Sequence, residues 1–566
     1  MIANLSPGLI LILGGLLVPL VHGRARQVFM LALPVLGGLQ LIGLEHGLHG
    51  QIGIFDYTLT FARVDKLSLI FGAIFLIASF YNTIYSLHEN DVMEQVAAPV
   101  YAGAAIGAVF AGDLISLFIF WELTAISSVF LIWSRRTAKA TSVGLRYLVI
   151  QVGSGVILLA GVILYANKTG SIAFNHIGLN DLASWLILIA FGIKAAFPFL
   201  HNWLQDAYPE ATVTGTVVLS AFKTKLAVYA LARGFPGTEM LIYVGIVMTA
   251  FPVFFAVIEN DMRRVLAYSL NNQVGFMVAA IGVGTPLALN GAAAHAFVHI
   301  IYKSLLFMSM GAVLYRVGTI KASELGGLYR SMPITTVFCI IGAASISAFP
   351  LFSGFVAKSL ELSAMAEEGY VFAWVVLVFA SAGVLHHSGI KIPYFAFFAH
   401  DSGLRCKEAP PNMLIAMAIP AFLCIAIGVY PEPLYALLPF PVNYEPYTTS
   451  HVLSQLQLVL FSCLAFAVLW RTRVYPPEMR STNLNTDWVY RKALPALVVW
   501  LMRVGSEVRR GALFRAQTRL DRFIMQVYRH HGPGGIMART WLTGNSVLWV
   551  ALLLGGYLLI YFLRRA

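Results

Sequence analysis

Long apolar runs separated by short polar intervals fill most of the chain. Sixteen runs have the length or the composition of a buried helix: about 8–22, 28–43, 66–86, 97–112, 114–133, 146–166, 183–204, 212–232, 240–258, 264–283, 288–315, 333–357, 371–397, 412–430, 453–471 and 546–563. A bilayer crossing needs about 20 apolar residues. The runs are continuous rather than alternating, which argues for helices and against a β-barrel. The expected fold is an all-α polytopic membrane protein of about 14–16 transmembrane helices. The first run lacks the basic start of a secretory signal and reads as a retained span.

Residues 472–545 break this pattern. Arg480, Arg491, Lys492, Arg503, Arg509, Arg510, Arg515, Arg519, Arg522 and Arg529 alternate there with Trp488, Trp500, Phe514 and Phe523. This reads as a basic amphipathic helix in the membrane interface, either a headgroup anchor or a lateral strut along neighbouring subunits.

Composition narrows the class. The 566 residues are 59% hydrophobic and 11% charged, with a mean hydropathy of +0.77. Soluble domains carry about 25% charged residues. There are 38 Lys and Arg against 26 Asp and Glu, a net charge of +12. With no soluble domain to carry it, this excess fits lipid headgroups and one set of loops, not nucleic acid. Arg24 and Arg26, Arg135 to Arg146, Arg263 and Arg264, and Arg316 to Arg330 all follow odd-numbered spans. They mark one face, taken as cytoplasmic; the final Arg564 and Arg565 violate the rule. Cys339, Cys406, Cys424 and Cys463 form no CxxC or metal-ligand spacing, so no metal, cofactor or electron carrier is expected.

Charge inside the spans is where function is expected, since each such group costs about 2.5–3.5 kcal/mol. Glu122 is the one acid of its run. Lys194 sits mid-span, four residues before Pro198. Proline opens a helix locally, and broken helices are tolerated where they line a polar cavity. His201 follows, as a gate or an interfacial residue. Lys223 and Lys225, two residues apart, point to opposite helix faces, about 200° apart. His295, His299 and Lys303 recur every four residues and stack on one face, a pattern suited to a proton relay rather than to a metal. Lys358 follows a second interrupted span at Pro350. His386, His387 and Lys391 come last, as gate or entry candidates; Lys391 reads as a proton entry or exit point or, slightly better, as an interfacial lysine that snorkels. Two interrupted spans five apart point to two inverted five-helix repeats, at 97–235 and 236–400. N-terminal helices 1–96 precede them. Helices at 401–471, the basic segment 472–545 and a final span 546–566 follow.

The runs FGIKAAFPFLHNWLQDAYPEATVTGTVVLSAFKTKLAVYAL, NDMRRVLAYSLNNQVGF, HAFVHIIYKSLLFMSMGAV and FPLFSGFVAKS occur in this order. Over about 60–400 the chain resembles the proton-translocating antiporter-like subunits of respiratory complex I, a family that includes the large subunits of Mrp cation/proton antiporters. The resemblance implies about 14 core helices with two inverted units. It implies Glu122 paired with Lys194, Lys225 as a connecting lysine with Lys223 as an extra, His295, His299 and Lys303 as the central relay, and Lys358 as the terminal lysine. The implied activity is proton translocation, with Na+ as a counter-ion, in a multisubunit plasma-membrane complex. The alternatives are a subunit of a complex I-like or hydrogenase redox complex, without redox chemistry of its own, a membrane partner in bicarbonate uptake, or a structural subunit.

Overall fold

A computed structural model describes residues 6–54, 57–475, 478–479, 483–540 and 542–565. Arg480 lies outside them. The chain divides into two units, Met1–Asn483 and Leu484–Ala566.

The first unit is a helical bundle. It opens with α1 (Gly8–Leu17) and α2 (Gly23–Ile42), then an antiparallel hairpin of β1 (Gly47–Ile54) and β2 (Tyr57–Val64), then α3 (Lys66–Tyr85). The hairpin departs from the all-α expectation. The segment GLHGQIGIFDYTLTFARV is too polar to span a membrane, and Thr60, Ala62 and Val64 bury every second side chain, as a half-covered strand does.

Two matching sets of helices follow. α4 (Val92–Phe110), α5 (Leu114–Trp133), α6 (Ala138–Thr169) and α7 (Leu182–Ala195) have 19, 20, 32 and 14 residues. A short α8 (Asn202–Ala207) and α9 (Val213–Gly234) complete the first set. α10 (Met240–Ile258), α11 (Met262–Val283), α12 (Pro286–Val317) and α13 (Pro333–Ile346) have 19, 22, 32 and 14. α14 (Ser353–Glu367) and α15 (Val371–Phe398) complete the second. Aspartate caps start the second helix of each set: Asp113 accepts from Ser116 N–H, and Asp261 from the N–H groups of Arg263 and Arg264. Each cap residue also bridges to the strand leaving the 32-residue helix, Asp113 to Ala173 and Asp261 to Lys321. Helix lengths, aspartate caps and bridges thus recur in the same order in the two sets.

Each set contains a break with the same three residues, Ala196-Phe197-Pro198 and Ala348-Phe349-Pro350. The backbone turns left-handed at Ala196 and Phe199 (φ 63° and 67°), and again at Ala348 and Leu351 (φ 54° and 72°). Non-glycine residues occupy this region only under constraint from their surroundings. α16 (Pro411–Val429) and α17 (Thr449–Arg471) finish the unit.

Twelve described helices are long and apolar enough to cross a membrane, and shorter apolar helices cover Gly8–Leu20, Leu182–Ala195 and Pro333–Ile346. In α9 and α12, 94% of the apolar window is buried. These two helices pack on each other at the junction of the two sets, and both carry lysines. Several charges expected in loops lie inside helices, among them Arg24 and Arg26 in α2, Lys139 in α6, Arg264 in α11 and Arg316 in α12. Arg146 lies within α6. Arg263 is buried in the first turn of α11, donating to the carbonyls of Ala211 and Pro209 and to Thr216.

The second unit contains α18 (Leu494–His531) and α19 (Thr543–Leu563). α18 has 38 residues, about 57 Å at 1.5 Å per residue. That exceeds a bilayer crossing, and its arginines recur throughout.

Candidate functional site

The first break ends α7 immediately after Lys194, so the lysine sits at a helix C-terminus rather than mid-helix. Its Nζ is fully buried. It donates to the Trp121 carbonyl at 2.5 Å and to Thr124 Oγ1 at 2.9 Å, and lies 4.1 Å from the Trp121 ring centre. A cation at a helix C-terminus also meets the negative end of the helix dipole. Trp121 is fixed through its indole N–H to Ser154 Oγ, which donates to the Ala190 carbonyl of α7.

Glu122 follows Trp121 and makes no direct contact with the Lys194 ammonium. Among the described residues no ion pair within 4 Å joins them, and Glu122 Oε1 is buried without a hydrogen-bond partner. Its carboxylate lies flat on Gly155 of α6, where a Cβ would stand 1.4 Å from Oε1. Glu122, Lys194 and Lys223 stand as electrostatic neighbours.

Lys223 has polar contacts of its own. Its Nζ donates to Ser128 Oγ at 3.0 Å and to the Tyr147 hydroxyl, and lies 4.3 Å from the Tyr147 ring centre. It faces α5 and α6, on the side of Lys194. Lys225 points away, as the helical angle predicts. Its Nζ donates back to the Ser220 carbonyl at 2.7 Å, and its charge acts on His295, His299 and Lys303 of α12. The two lysines together carry the polar row through α9 from one set to the other.

In the second set His295 is the best-connected group. Its Nδ1 is 2.8 Å from Glu361 Oε2, and its Nε2 is 2.9 Å from the Tyr302 hydroxyl and 3.2 Å from Gln273 Oε1. Tyr302 itself donates to Gln273 at 3.0 Å. His299 and Lys303 share the stripe, fully buried and without hydrogen-bond partners among the described residues. Lys358, beyond the second break, returns its Nζ to the Ile346 carbonyl at 2.8 Å and lies over the Phe276 ring.

The remaining candidates flank this row. His201 is buried at the first break, its ring centre 4.6 Å from that of Phe251 in α10. α15 passes through a π-helical turn at Leu385–Ile390. This points His387 inward, with Nδ1 2.8 Å from Ser388 Oγ, which donates to Ser269. His386 points outward and meets Phe466. Lys391 does not snorkel: its side chain is fully buried, its Nζ lies 2.9 Å from Glu478 Oε1, and it donates to the carbonyls of Val257 and Glu259.

Sequence reasoning missed Glu361, Tyr302 and Gln273. Glu361 had one available signal. It stands three residues after Lys358, one helical turn on the same face, beyond where the apolar run was taken to end.

Two like sets of apolar helices, each broken at an Ala-Phe-Pro turn and joined by buried lysines and histidines, make this chain a multi-pass membrane protein. A family model described as NADH:quinone oxidoreductase/Mrp antiporter, TM, matches residues 111–383. One Na(+)/H(+) antiporter component of Alkalihalophilus pseudofirmus is 30% identical over 393 residues, covering 65% of this chain and 78% of that protein. The chain belongs to this NADH:quinone oxidoreductase/Mrp antiporter family. A second and longer Na(+)/H(+) antiporter component of the same organism is 28% identical over 546 residues, and the match spans 84% of this chain but only 64% of that protein. Hydrogenase-4 component B of Escherichia coli is 25% identical over 431 residues, 66% of this chain and 63% of that protein. The fold matches a chain in the structure of the Mrp complex from Dietzia sp. DQ12-45-1b with a TM-score of 0.67 at 22% identity, covering 77% of this chain and 95% of that one. It also matches one in the membrane-bound sulfane sulfur reductase, an archaeal respiratory membrane complex, with a TM-score of 0.66 at 24% identity, covering 76% and 94%.

Proposed function

We propose that this chain is the proton-translocating subunit of a multisubunit plasma-membrane complex, a monovalent cation/proton antiporter of the Mrp kind. Helices 97–235 and 236–400 act as two inverted units, since five crossings each turn the second over. Helices 1–96 and 401–471 flank them, and 472–545 and 546–566 dock on the membrane or on neighbouring subunits. The observation that carries this reading is the buried row Lys194, Lys223, Lys225, His299, Lys303, His295 and Lys358, which runs through both sets and across their junction.

Such a row moves protons by repulsion. Two like charges about 8 Å apart at an effective dielectric of about 20 repel by about 2 kcal/mol. A proton arriving at Lys194 therefore drives the next one onward, and Glu122 sets how firmly Lys194 and Lys223 hold theirs. Side chains on separate helices need water between them to complete the wire.

The test is Na+-dependent proton flux in vesicles carrying the whole complex, followed with a pH-sensitive dye. Lys194→Ala or Glu122→Ala should abolish the flux while the complex still assembles; unchanged flux would refute the reading. A second reading, drive by a redox partner, is favoured by the long basic helix α18 and by the similarity to hydrogenase-4 component B. It predicts flux that follows an electron donor and ignores Na+.

A further inference from the structure

A small polar cavity lies between α2, α3, α4 and α9, apart from the buried lysine row. It is on the face marked by the Arg135–Lys139 loop, since Asp91, the cap of α4, pairs with Arg136 at 3.1 Å. Its volume is about 20 Å3, enough for one guest the size of a water molecule. The apolar side chains of Ala102, Val218 and Phe222 close its inner end.

Glu94 of α4 lines the cavity and is only 4% exposed. The hydroxyls of Thr212, at 2.9 Å, and of Thr214 both donate to its Oε1. Among the described residues its Oε2 has no hydrogen bond and no ion pair reaches it. The charges that act on it are those of two further acids, Glu89 and Asp91. Arg26, the basic side chain at this wall, turns instead to the Gln95 amide oxygen at 3.0 Å and the Val21 carbonyl at 2.6 Å. A buried carboxylate is ordinarily paired with a base or bound to a metal ion.

The rest of the wall is a set of idle oxygens. Asn82 of α3 is buried against the cavity, and neither its amide oxygen nor its amide nitrogen has a hydrogen-bond partner among the described residues. A buried amide left unpaired is costly, so the cavity must supply a partner. Ser79, one helical turn earlier, adds a hydroxyl. Pro99 interrupts α4 and has no N–H for the Gln95 carbonyl four residues before it. That frees a backbone oxygen on a wall which Gln95 and Pro99 both line. Hard cations bind through oxygen, and a single carboxylate among neutral oxygens balances a single positive charge.

We propose that this cavity binds one dehydrated alkali cation, Na+ or K+, between Glu94, Asn82, Ser79 and the Gln95 carbonyl. The cation ties the α3–α4 turn to the start of α9. With its inner end closed, the site fills and empties from one face. It is a cation-responsive brace and not a segment of a transport path. When the cation leaves, a proton takes its place on Glu94.

Melting of the whole complex in detergent tests the site. NaCl and KCl are each compared with N-methylglucamine chloride at equal ionic strength. A ligand that binds only the folded state raises the midpoint. Na+ or K+ should raise it, and the more effective of the two identifies the cation. Glu94→Gln keeps an acceptor for both threonines, and Asn82→Leu removes the amide. Each should abolish at least half of the rise. No rise in the wild type, or an equal rise in both variants, overturns the site. Lys194→Ala should keep the full rise even though its flux is lost, so the site and the relay fail separately. The second readout is the infrared difference spectrum on exchanging the alkali cation for N-methylglucamine. The wild type should trade a carboxylate band for a carboxylic-acid band, and Glu94→Gln should lack the trade. A Glu94 carboxylic-acid band present in both salts would show a proton and a water only, and would refute the cation. If Asn82→Leu prevents assembly, Glu94→Gln and the spectrum decide.

Discussion

Glu361→Gln isolates a single contact. The Glu361 side chain is fully buried, and among the described residues its one hydrogen bond to a side chain is with His295 Nδ1 at 2.8 Å. Glutamine keeps the size and one carbonyl acceptor but removes the charge. A hydrogen bond to a charged group contributes about 1.5–3 kcal/mol, and about 1.4 kcal/mol is tenfold in rate. If protons pass through His295, the carboxylate stabilises the imidazolium by that amount, and its loss slows flux by about 10- to 150-fold. The assay is Na+-driven proton flux in vesicles at matched complex content, with thermal unfolding in detergent as the control. The unfolding midpoint should move by only a few degrees. Glu361→Asp restores the charge at a shorter reach and should recover part of the flux. Flux within twofold of wild type in Glu361→Gln, at normal assembly, would show that protons bypass His295.

Lys223→Met and Lys225→Met should each lower flux at least tenfold, measured in the same vesicles; loss with Lys225→Met alone would return Lys223 to the role of an extra. Gly155→Ala should displace the Glu122 carboxylate, because its Cβ would overlap Oε1, and so cut flux with little change in melting. Gly354→Ala should instead destabilise the fold, since its Cβ would meet the Ser345 carbonyl at 1.8 Å; a lower melting midpoint and poor assembly are the readout. Asp181 caps α7 outside the span, and hydrogen bonds from Lys168 and then Ser184 hold its carboxyl down to about 2. A depressed carboxyl contributes stability above its ordinary range near 4 and loses it as pH falls through about 2. Melting of Asp181→Ala should therefore lie below wild type by the equivalent of about 1 kcal/mol at pH 7, with the gap unchanged down to pH 5.

Span positions were legible because each span is an apolar run, and both breaks were marked by proline. The opposite facing of Lys223 and Lys225 followed from helical angle alone. What each faced did not, since that depends on which helices pack on α9. Lys391 reads as interfacial because it lies near the end of an apolar run. Its burial comes from Glu478, 87 residues later in the chain, and no local pattern carries that pairing. The hairpin at 47–64 is not legible because its alternation is interrupted by glycines and lies between two strong spans. Glu361 was missed because a broken helix continues past the apolar window that was used to find it.

Numbered from their Ala-Phe-Pro turns, Lys194 stands two residues before its turn, where the second set has Ile346; Lys358 stands eight residues after its proline. Aligned column by column, the two lysines do not match. Yet Lys358 folds its ammonium back onto the carbonyl of Ile346, the address that Lys194 occupies in the first set. What the two halves share is a place for a positive charge, reached from opposite sides of the turn. Any history in which one half was copied from the other must let the residue migrate while the charge stays.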